Sequence, residues 1–533
     1  MRHPSKCIKS LAYSDRGRAR QLGGDLNLGK CELVVPGAQL PLNLAELFPR
    51  SLLINPITGQ SRVLCSGNFD ILGAPIGSSD HCAAHTCKRI DKARPLLTAL
   101  EELPDPQIAL RLLRRCLSFA KLVYSARTVP PSLHSGELTA YDDIVRNTFA
   151  ASTSVITPDA NWALATRGFW CGGLGLRSAA GHAGAAYVAS CAATRHLCRE
   201  VDPGFMWEAE QDGSELRTAL DALNARLPAS SRVDPTTDEW PRQQALSKAL
   251  DQADHDAFFN TLSQADKAAL LSEMLPGASG FIEAIPSKEL DLAWEPVEFT
   301  TELRTRLLLD HYPADAWCPL CDVVLDTKAR HCAKCASGGD RVRRHNGARN
   351  VASRHAEEAG ANPELEKPDL LQPCPNQPAA NRRRPADVYL PNWFGGTPAA
   401  LDFAITSPHR QDISAVASTR VGAAAEAYEL YKRSYLGTDN DCRAQGIAFI
   451  PMIAETSGGW GPAAMCTIKR IAKAAAIRAD LDPGKVLAAH LASLCTVIRR
   501  ANARAVLRRS PEDTRGRPPE GALTALAAFD ATE

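Results

Sequence analysis

The feature that most constrains this chain is a dense run of cysteines with one histidine, CPLCDVVLDTKARHCAKC, at residues 318–335. Thiolates and an imidazole in two close pairs, separated by a short loop, are typical of a tetrahedral zinc site, since each pair can hold the ion from one turn. Cys318, Cys321 and Cys335 supply three ligands, and either His331 or Cys332 supplies the fourth. A complete nitrogen and sulfur shell leaves no position open for water. The pattern therefore predicts a structural zinc.

The length of the chain, 533 residues, exceeds what one hydrophobic core supports, so roughly two to four domains are expected. Hydrophobic residues make up 45% and charged residues 23%, a composition that excludes a disordered or fibrous protein. Changes in texture divide the chain into an N-terminal region (1–135), a helical region (136–310), the cysteine and histidine module (311–345), a core of strands and helices (346–480), and a C-terminal helix with a mobile tail (481–533).

The sequence carries no signal for a membrane or for secretion. It has no window of about 20 apolar residues, and the N-terminus MRHPSKCIKS lacks the apolar run of a secretory signal. The 17 cysteines are scattered, which fits free thiols and a metal site better than a disulfide framework. We therefore expect a soluble intracellular protein.

The net charge of +1 hides local clusters of basic residues near 328–354, at Arg382–Arg384 and at Arg499–Arg509. Such clusters permit contact with nucleic acid. The segment GGDRVRRHNGARN follows the cysteines directly, and its basic side chains can line a phosphate backbone or form a solvated helix face. The residues predicted to bind nucleic acid are Arg341, Arg343, Arg344, His345 and Arg349.

Two aspartates lie in segments that otherwise look apolar. RRPADVYLPNWFGGTPAALDFAIT, residues 383–406, predicts two strands joined by a Gly-Gly turn, with Asp387 in the first and Asp402 in the second. Alternation puts Leu401 and Phe403 on one face of the second strand and Asp402 on the other. Pairing of the strands would bring the carboxylates together, and two carboxylates in a half-buried place are stable only with a shared proton or around a cation.

Few, hard oxygen ligands suit Mg²⁺, which usually also contacts a substrate phosphate. Such an ion promotes phosphodiester hydrolysis by polarising a phosphoryl oxygen. On spacing alone, Asp387 and Asp402 can equally be ordinary turn residues.

The order of motifs adds a resemblance. Five motifs, in their order along the chain, resemble the restriction-like endonuclease region at the C-terminus of LINE-type (non-long-terminal-repeat) retrotransposons, a member of the PD-(D/E)xK nuclease superfamily. They are the cysteine and histidine module, RHN, RRPADVYLP, ALDFAITS and AYELYKRSY. The resemblance covers residues 315 to about 475. It implies an α/β core with a short mixed sheet flanked by helices, preceded by a zinc knuckle and a helix-rich N-terminal half.

The resemblance also assigns roles to residues. Asp387 would belong to a PD motif with one residue inserted, and Asp402 would be the second acidic ligand. The zinc ligands would be Cys318, Cys321, His331 and Cys335. A glutamate that completes the magnesium shell would be Glu357, Glu358 or Glu366.

The lysine that usually stands two residues after the second acid is absent, because that position is Ala404. In retrotransposon nucleases the lysine looks to have moved to the following helix, which makes Lys432 the candidate. At helical spacing Tyr428, Lys432 and Tyr435 share a face that can point at the metal site. The alternative is a surface lysine paired with Glu429.

A second resemblance concerns the N-terminal third. LNLGKCELV (26–34) and FDILGAPIG (69–77) look like the stretch after the catalytic box of a LINE-type reverse transcriptase. DPQIALRLLRRC (105–116) with GGLGLRSAAGHAGAAYVAS (172–190) resembles its thumb and the helical region beyond, and the wider stretch 104–127 is predicted to be a helix. Residues 1–25 contain no aspartate box. Tyr141-Asp142-Asp143 has the wrong spacing and position, and we interpret it as the polar face of a helix. The chain is therefore not expected to polymerise and looks like a C-terminal part or truncated copy of an element protein.

These features predict a metal-dependent DNA endonuclease that nicks a target site, with structural Zn²⁺ and catalytic Mg²⁺. Its partners would be a DNA duplex and element RNA, and the family together with the Arg382–Arg384 run suggests the nucleus. The alternative is a catalytically decayed zinc protein that only binds nucleic acid. Asp387, Asp402 and Lys432 separate the two hypotheses, since a pure binder would hold phosphates better without carboxylates.

Overall fold

The computed structural model describes residues 33–34, 44–48, 50–64, 67–321, 323–372 and 383–510. The expected mobile tail after Ser510, and most of the stretches LNLGKCELV (26–34) and CPNQPAANRRRP (374–385), lie outside these residues. Within them, no helix is both long enough and apolar enough to cross a membrane.

Helices dominate the described residues. In chain order they are α1 (Leu44–Leu47), α2 (Arg50–Leu53), α3 (Ser79–Glu101), α4 (Pro106–Leu112), α5 (Phe119–Thr128), α6 (Ser135–Thr153), α7 (Asp159–Ala165), α8 (Ala179–Val201), α9 (Glu215–Arg226), α10 (Gln243–Thr261), α11 (Gln264–Glu273), α12 (Gly280–Glu283), α13 (Pro296–Arg306), α14 (Asp340–Glu358), α15 (Ser414–Ala417), α16 (Ala423–Ser434), α17 (Thr438–Ala444), α18 (Pro462–Ala479) and α19 (Pro483–Arg508).

The strands are short and few. They are β1 (Leu33–Val34), β2 (Val63–Leu64), β3 (Phe69–Ile71), β4 (Ala74–Ile76), β5 (Ala316–Trp317), β6 (Val324–Leu325), β7 (Glu364–Leu365), β8 (Val388–Leu390), β9 (Ala399–Thr406) and β10 (Ala448–Glu455). The largest sheet has four strands in the order β10-β9-β8-β7, with β10 parallel to β9 and the other pairs antiparallel. A helix-rich protein with a small mixed sheet is therefore confirmed.

The predicted helix over residues 104–127 is present in two pieces. Asp105 caps α4 by accepting hydrogen bonds from the backbone N–H groups of Gln107 and Ile108. A π-helical turn, Leu113–Leu117, then interrupts the helix, and α5 resumes at Phe119. The prediction missed this break because the π turn, LRRCL, contains no proline or glycine that would mark an interruption.

The tyrosine and aspartate of the YDD sequence lie inside the helical half. Tyr141 in α6 is fully buried, and its hydroxyl donates to the carbonyl of Leu117. The Asp142 carboxylate accepts from the backbone N–H of Ala179 at 2.6 Å and from that of Ala180 at 3.1 Å, so it caps α8. The interpretation as a polar helix face was wrong for these two residues, whose role is structural.

The C-terminal helix α19 packs against α12, α13, α14 and α18. Its Leu494 and Ile498 belong to the hydrophobic core around the four-stranded sheet, while its Cys495 and Ala503 belong to the core of the helical half. The predicted C-terminal unit 481–533 thus begins with a helix that both cores share.

The arginines of α19 are committed to ion pairs within the protein. Arg499 is fully buried and binds Glu302 at 2.8 Å and also Glu273, which binds Arg306 at 2.8 Å. Arg500 pairs with Asp291, and Arg504 pairs with Glu298. Arg508 and Arg509 both pair with Asp340. Arg499 and Arg509 are fully buried and therefore cannot contact nucleic acid, while the expectation for the rest of this basic run stays a prediction.

A pair of histidines lies where α14 meets α19. The rings of His355 and His490 stack with centroids 3.7 Å apart and planes 4° from parallel. Ser493 lies 3.0 Å from His355 Nε2, and Glu358 lies 3.1 Å from His490 Nε2. Burial, with smaller contributions from the charges of His490 and Arg354, lowers the pKa of His355 to about 2, so this ring is neutral in the folded protein.

Replacing Arg499 with methionine should destabilise the protein by about 3 kcal/mol or more, because Glu273 and Glu302 would keep buried charges with fewer partners. Urea unfolding measures the loss. Arg443→Met is the matched control, since Arg443 makes an exposed pair with Asp439 that is worth about 1 kcal/mol or less. Equal effects of the two changes would contradict a central role for Arg499.

The histidine pair predicts a loss of stability in mild acid. An unfolded histidine takes up a proton near pH 6.5, whereas folded His355 does so only near pH 2, so protonation favours the unfolded chain as the pH falls below about 6.5. His355→Leu should reduce the slope of the free energy of unfolding against pH by up to about 1.4 kcal/mol per pH unit. Urea unfolding between about pH 7 and pH 5 measures it, with the exposed His196→Leu as control. An unchanged slope in His355→Leu would contradict the prediction.

Candidate metal centre and carboxylate site

Four side chains of the cysteine and histidine module converge. The ligand atoms of Cys318, Cys321, His331 and Cys335 all lie within 4.8 Å of one another. Cys321 Sγ is 3.2 Å from His331 Nε2 and 3.6 Å from Cys335 Sγ. Two ligands come from the hairpin of β5 and β6 and two from the following turn. The cluster can therefore hold a zinc ion.

The structure decides between His331 and Cys332 as the fourth ligand. Cys332 is buried but is not one of the four converging ligands, and its Sγ lies 3.6 Å from the hydroxyl of Tyr312. That hydroxyl donates to the carbonyl of Val506 in α19 at 2.9 Å. Burial raises the pKa of the Cys332 thiol to about 12, so it stays protonated. Cys332 is a packing residue, and His331 completes the cluster.

The module is fixed to the rest of the protein on two sides. Lys328 and Arg330 bind Asp266 of α11 at 2.7 and 2.5 Å. On the other side, Asp340 at the start of α14 receives Arg508 at 2.8 Å and Arg509 at 2.6 Å. The cluster therefore sits at a junction of three elements, which suits a structural ion.

The two predicted strands pair as a hairpin. β8 and β9 are antiparallel, with Val388 opposite Leu401, so one further step of the same register reaches Asp387 and Asp402. Leu401 and Phe403 lie in the core with α14, α18 and α19. The alternation expected for β9 is confirmed, and both aspartates lie at the same end of the β8–β9 pair.

Asp402 is a buried carboxylate with a lysine against it. The residue is 8% exposed, and Lys432 Nζ lies 3.0 Å from its Oδ1 and 2.9 Å from its Oδ2. Burial raises the pKa of Asp402 to about 6, even though the charge and the hydrogen bond of Lys432 lower it. The neighbouring charge of Asp387 raises it further. Positive charge beside Asp402 therefore stabilises the charged form of its carboxylate.

Lys432 reaches Asp402 from α16, which packs on the same face of β9. Burial lowers the pKa of this lysine, but the charge and hydrogen bond of Asp402 outweigh burial and raise it overall. Glu429 pairs with Arg433, at 3.1 Å. The alternative of a surface lysine paired with Glu429 was therefore wrong.

Asp387 is held by groups from two other elements. Its Oδ2 accepts from the backbone N–H of Phe403 at 2.6 Å and lies 3.3 Å from His345 Nε2. The same Nε2 is 3.1 Å from the carbonyl oxygen of Phe403. The hydrogen bond to Asp387 raises the pKa of His345, although burial opposes this. His345 was expected to face nucleic acid, and apart from its place in the RHN motif nothing in the sequence indicated this contact.

The other side chains predicted to bind nucleic acid divide into two groups. Arg341 is exposed and Arg343 half-buried on α14. Arg344 is 3% exposed and donates to Asn502 at 2.5 Å and to the carbonyl of Ala333 at 2.8 Å. Its prediction as a phosphate contact was wrong, since the guanidinium helps to fix the module to α19. Arg349 is buried and pairs with Glu366.

The structure also bears on the glutamates considered for the magnesium shell and on the Arg382–Arg384 run. Among the three glutamates considered for the metal shell, Glu358 contacts His490 and Glu366 pairs with Arg349, but the backbone N–H of Glu366 donates to the carbonyl of Asp387 at 3.0 Å. In the Arg382–Arg384 run, Arg382 lies outside the described residues, and Arg383 is nearly buried and pairs with Asp441 at 2.7 Å.

Comparison with known proteins adds no identification: neither a scan against protein-family models nor a search of the curated proteins found a match for this chain.

The ligand assignment can be tested by zinc content. Wild-type protein should bind about one zinc per chain, and His331→Ala and Cys335→Ser should lose it, because each removes one side of the tetrahedral shell. Cys332→Ala is the matched control and should retain the zinc. Metal released by acid from dialysed protein gives the stoichiometry. Zinc kept by His331→Ala but lost from Cys332→Ala would reverse the assignment.

Proposed function

We propose that this chain is a metal-dependent DNA endonuclease of the restriction-like type found in LINE-type retrotransposons, which nicks its target by phosphodiester hydrolysis. The observation that carries the proposal is the position of Asp387 and Asp402 one register step beyond the pair of Val388 and Leu401, at one end of the β8–β9 hairpin, with Lys432 Nζ within 3.0 Å of Asp402. The mixed sheet flanked by helices and the preceding cysteine and histidine cluster agree with the same resemblance.

The donor set fits a hard divalent cation. Asp387 and Asp402 offer carboxylate oxygens, and the hydrogen bonds that Asp387 accepts from the described residues both end on Oδ2, so Oδ1 accepts none from them. Burial raises the pKa of Asp402 although Lys432 lowers it, so a further cation beside this carboxylate would favour its charged form. Mg²⁺ matches few carboxylates with several waters, and when bound it would polarise the scissile phosphate and activate a water.

The protein's own groups have separate roles in this proposal. The backbone N–H of Phe403 fixes the orientation of Asp387, which a ligand on a rigid strand requires. Lys432 carries the positive charge that would stabilise negative charge developing on the phosphate. Arg341 and Arg343, on the surface of α14, would contact the DNA backbone beside the site.

The proposal extends to cellular role only through the family resemblance. In that family, nicking exposes a 3′ hydroxyl that primes reverse transcription on the target. Tyr141 and Asp142 make structural contacts within the helical half, so the proposal for this chain concerns nicking alone. Action on chromosomal DNA, with element RNA as a further partner, would take place in the nucleus.

The direct test is nicking of supercoiled plasmid by the full chain with Mg²⁺ or with EDTA. Asp387→Asn and Asp402→Asn should each lower the nicking rate about 100-fold or more, because each removes a charge from the metal site. Lys432→Met should also lose activity, since the charge beside the phosphate would be gone. Zinc content and circular dichroism should stay unchanged in all three variants.

Asp439→Asn is the matched control, because Asp439 is a nearby carboxylate on α17 that pairs with Arg433 and Arg443. It should nick as fast as wild type. If folded, zinc-loaded wild type retards DNA on a gel but never nicks it with Mg²⁺, the nuclease proposal fails. The decayed nucleic-acid-binding protein would then be the better description.

A further inference from the structure

Three tyrosines form a continuous row along α16 and the residue that follows it. The ring centroids of Tyr428 and Tyr431 are 5.5 Å apart, and those of Tyr431 and Tyr435 are also 5.5 Å apart. Residues three and four positions apart lie on one face of a helix, so the row runs along a single face. Tyr435 comes directly after Ser434, the last residue of α16, and extends the row beyond the helix.

The row begins at the carboxylate site. Tyr428 is half-buried against Ala404, Ala425 and Ile453, on the face of β9 that also carries Asp402. Lys432, one turn further along α16, places Nζ on Asp402. The tyrosines therefore lead outward from the side chains proposed to cut DNA.

The outer two rings are open to solvent. Tyr431 is 50% exposed and Tyr435 is 46% exposed, although side chains of this size bury much apolar surface when they pack. Neither ring is needed to fill one of the hydrophobic cores. Both rings are accessible to a planar ligand, and successive rings of the row are tilted by 51° and 46° to each other.

Charges around the row are largely neutralised within the protein. Arg433 pairs with Glu429 at 3.1 Å and with Asp439 at 3.5 Å. The guanidinium of Arg410 lies 4.9 Å from the ring centroid of Tyr428 and also binds Asp412. The surface beside the rings is thus aromatic and close to neutral, which favours the bases of a nucleic acid over its phosphates.

We propose that Tyr428, Tyr431 and Tyr435 form a stacking platform for unpaired bases next to the scissile phosphate. The inference rests on the proposed nuclease function and specifies its substrate, which is DNA with a single-stranded segment at the cut, such as a fork or a bubble. Every base has a π face, so stacking on tyrosine tolerates any sequence. The row of tyrosines would lead the unpaired DNA strand away from Asp402.

The first test measures binding without cleavage. Fluorescein-labelled oligothymidylate is titrated with the full chain in EDTA, where the proposed nuclease is silent. Tyr431→Ala and Tyr435→Ala should each weaken binding about fivefold or more, as expected for loss of one base stack. Both side chains are half exposed, so these changes should not unfold the protein.

Two controls isolate the stacking contribution. Tyr431→Phe keeps the ring and should bind like wild type, whereas a hydrogen-bonding role of the hydroxyl would make it as weak as Tyr431→Ala. Tyr124→Ala removes another partly exposed tyrosine, on α5, and should have no effect. An oligonucleotide with 2-aminopurine should lose fluorescence on binding to wild type and to Tyr431→Phe, because stacking quenches this base, but much less with Tyr431→Ala.

The second test compares substrates in Mg²⁺. Wild type should cut a fork faster than the fully paired duplex of the same sequence, and Tyr431→Ala should lose most of that preference while still cutting the duplex. Binding of oligothymidylate that is unchanged in both alanine variants would overturn the platform even if the protein nicks DNA. A change in self-association without a change in DNA binding would also overturn it and assign the row to a protein contact. Normal stacking with no cleavage would refute the nuclease alone.

Discussion

The buried ion pairs of Arg499 hold the molecule together. A guanidinium in a dry interior is tolerated only when carboxylates neutralise it and accept its hydrogen bonds. Arg499 meets Glu273 at the end of α11 and Glu302 in α13, while Ile498 beside it packs into the core of the sheet. Burial raises the pKa of Glu302 to about 7 in spite of Arg499, which shows how strongly this interior disfavours charge. The helix α19 thus joins the helical half to the sheet, because neighbouring residues of the same helix contact both.

The carboxylate site inherits its geometry from this arrangement. α14 starts at Asp340, which Arg508 and Arg509 fix to the end of α19, and continues to His345, which touches Asp387. Arg344, the residue of α14 before His345, donates a hydrogen bond to Asn502 of α19. A shift of α19 would therefore move the cysteine and histidine cluster and His345 together. This coupling links the cysteine and histidine cluster to the carboxylate site, since an ion bound by the cluster would stiffen the start of the helix that carries His345.

Local patterns in the sequence were sufficient for parts of the fold and not for others. The alternation around Asp402 and three of the four ligands of the cluster, Cys318, Cys321 and Cys335, follow from spacing within about twenty residues, because hairpins and metal turns are local. Spacing alone left the fourth ligand open between His331 and Cys332. The basic run at the end of α19 looked like a nucleic-acid surface because its partners, Glu273 and Glu302, lie roughly 200 residues earlier in the chain. His345 was assigned to phosphate for the same reason, since its partner Asp387 becomes a neighbour only after the sheet has formed. The periodicity of the sequence does not predict the partners in ion pairs between distant elements.

The position of the lysine has a packing explanation. In the usual motif the lysine would stand at position 404, two residues after Asp402 on the same face of β9. Ala404 is 9% exposed and packs with Ala425, Ile453 and Tyr428 beneath α16, so a lysine side chain there would have to displace the helix. Lys432 comes instead from that helix and reaches the carboxylate of Asp402 from above. A helix packed this closely on the strand leaves no room for a lysine at position 404 and brings Lys432 to the carboxylate of Asp402 from its own surface.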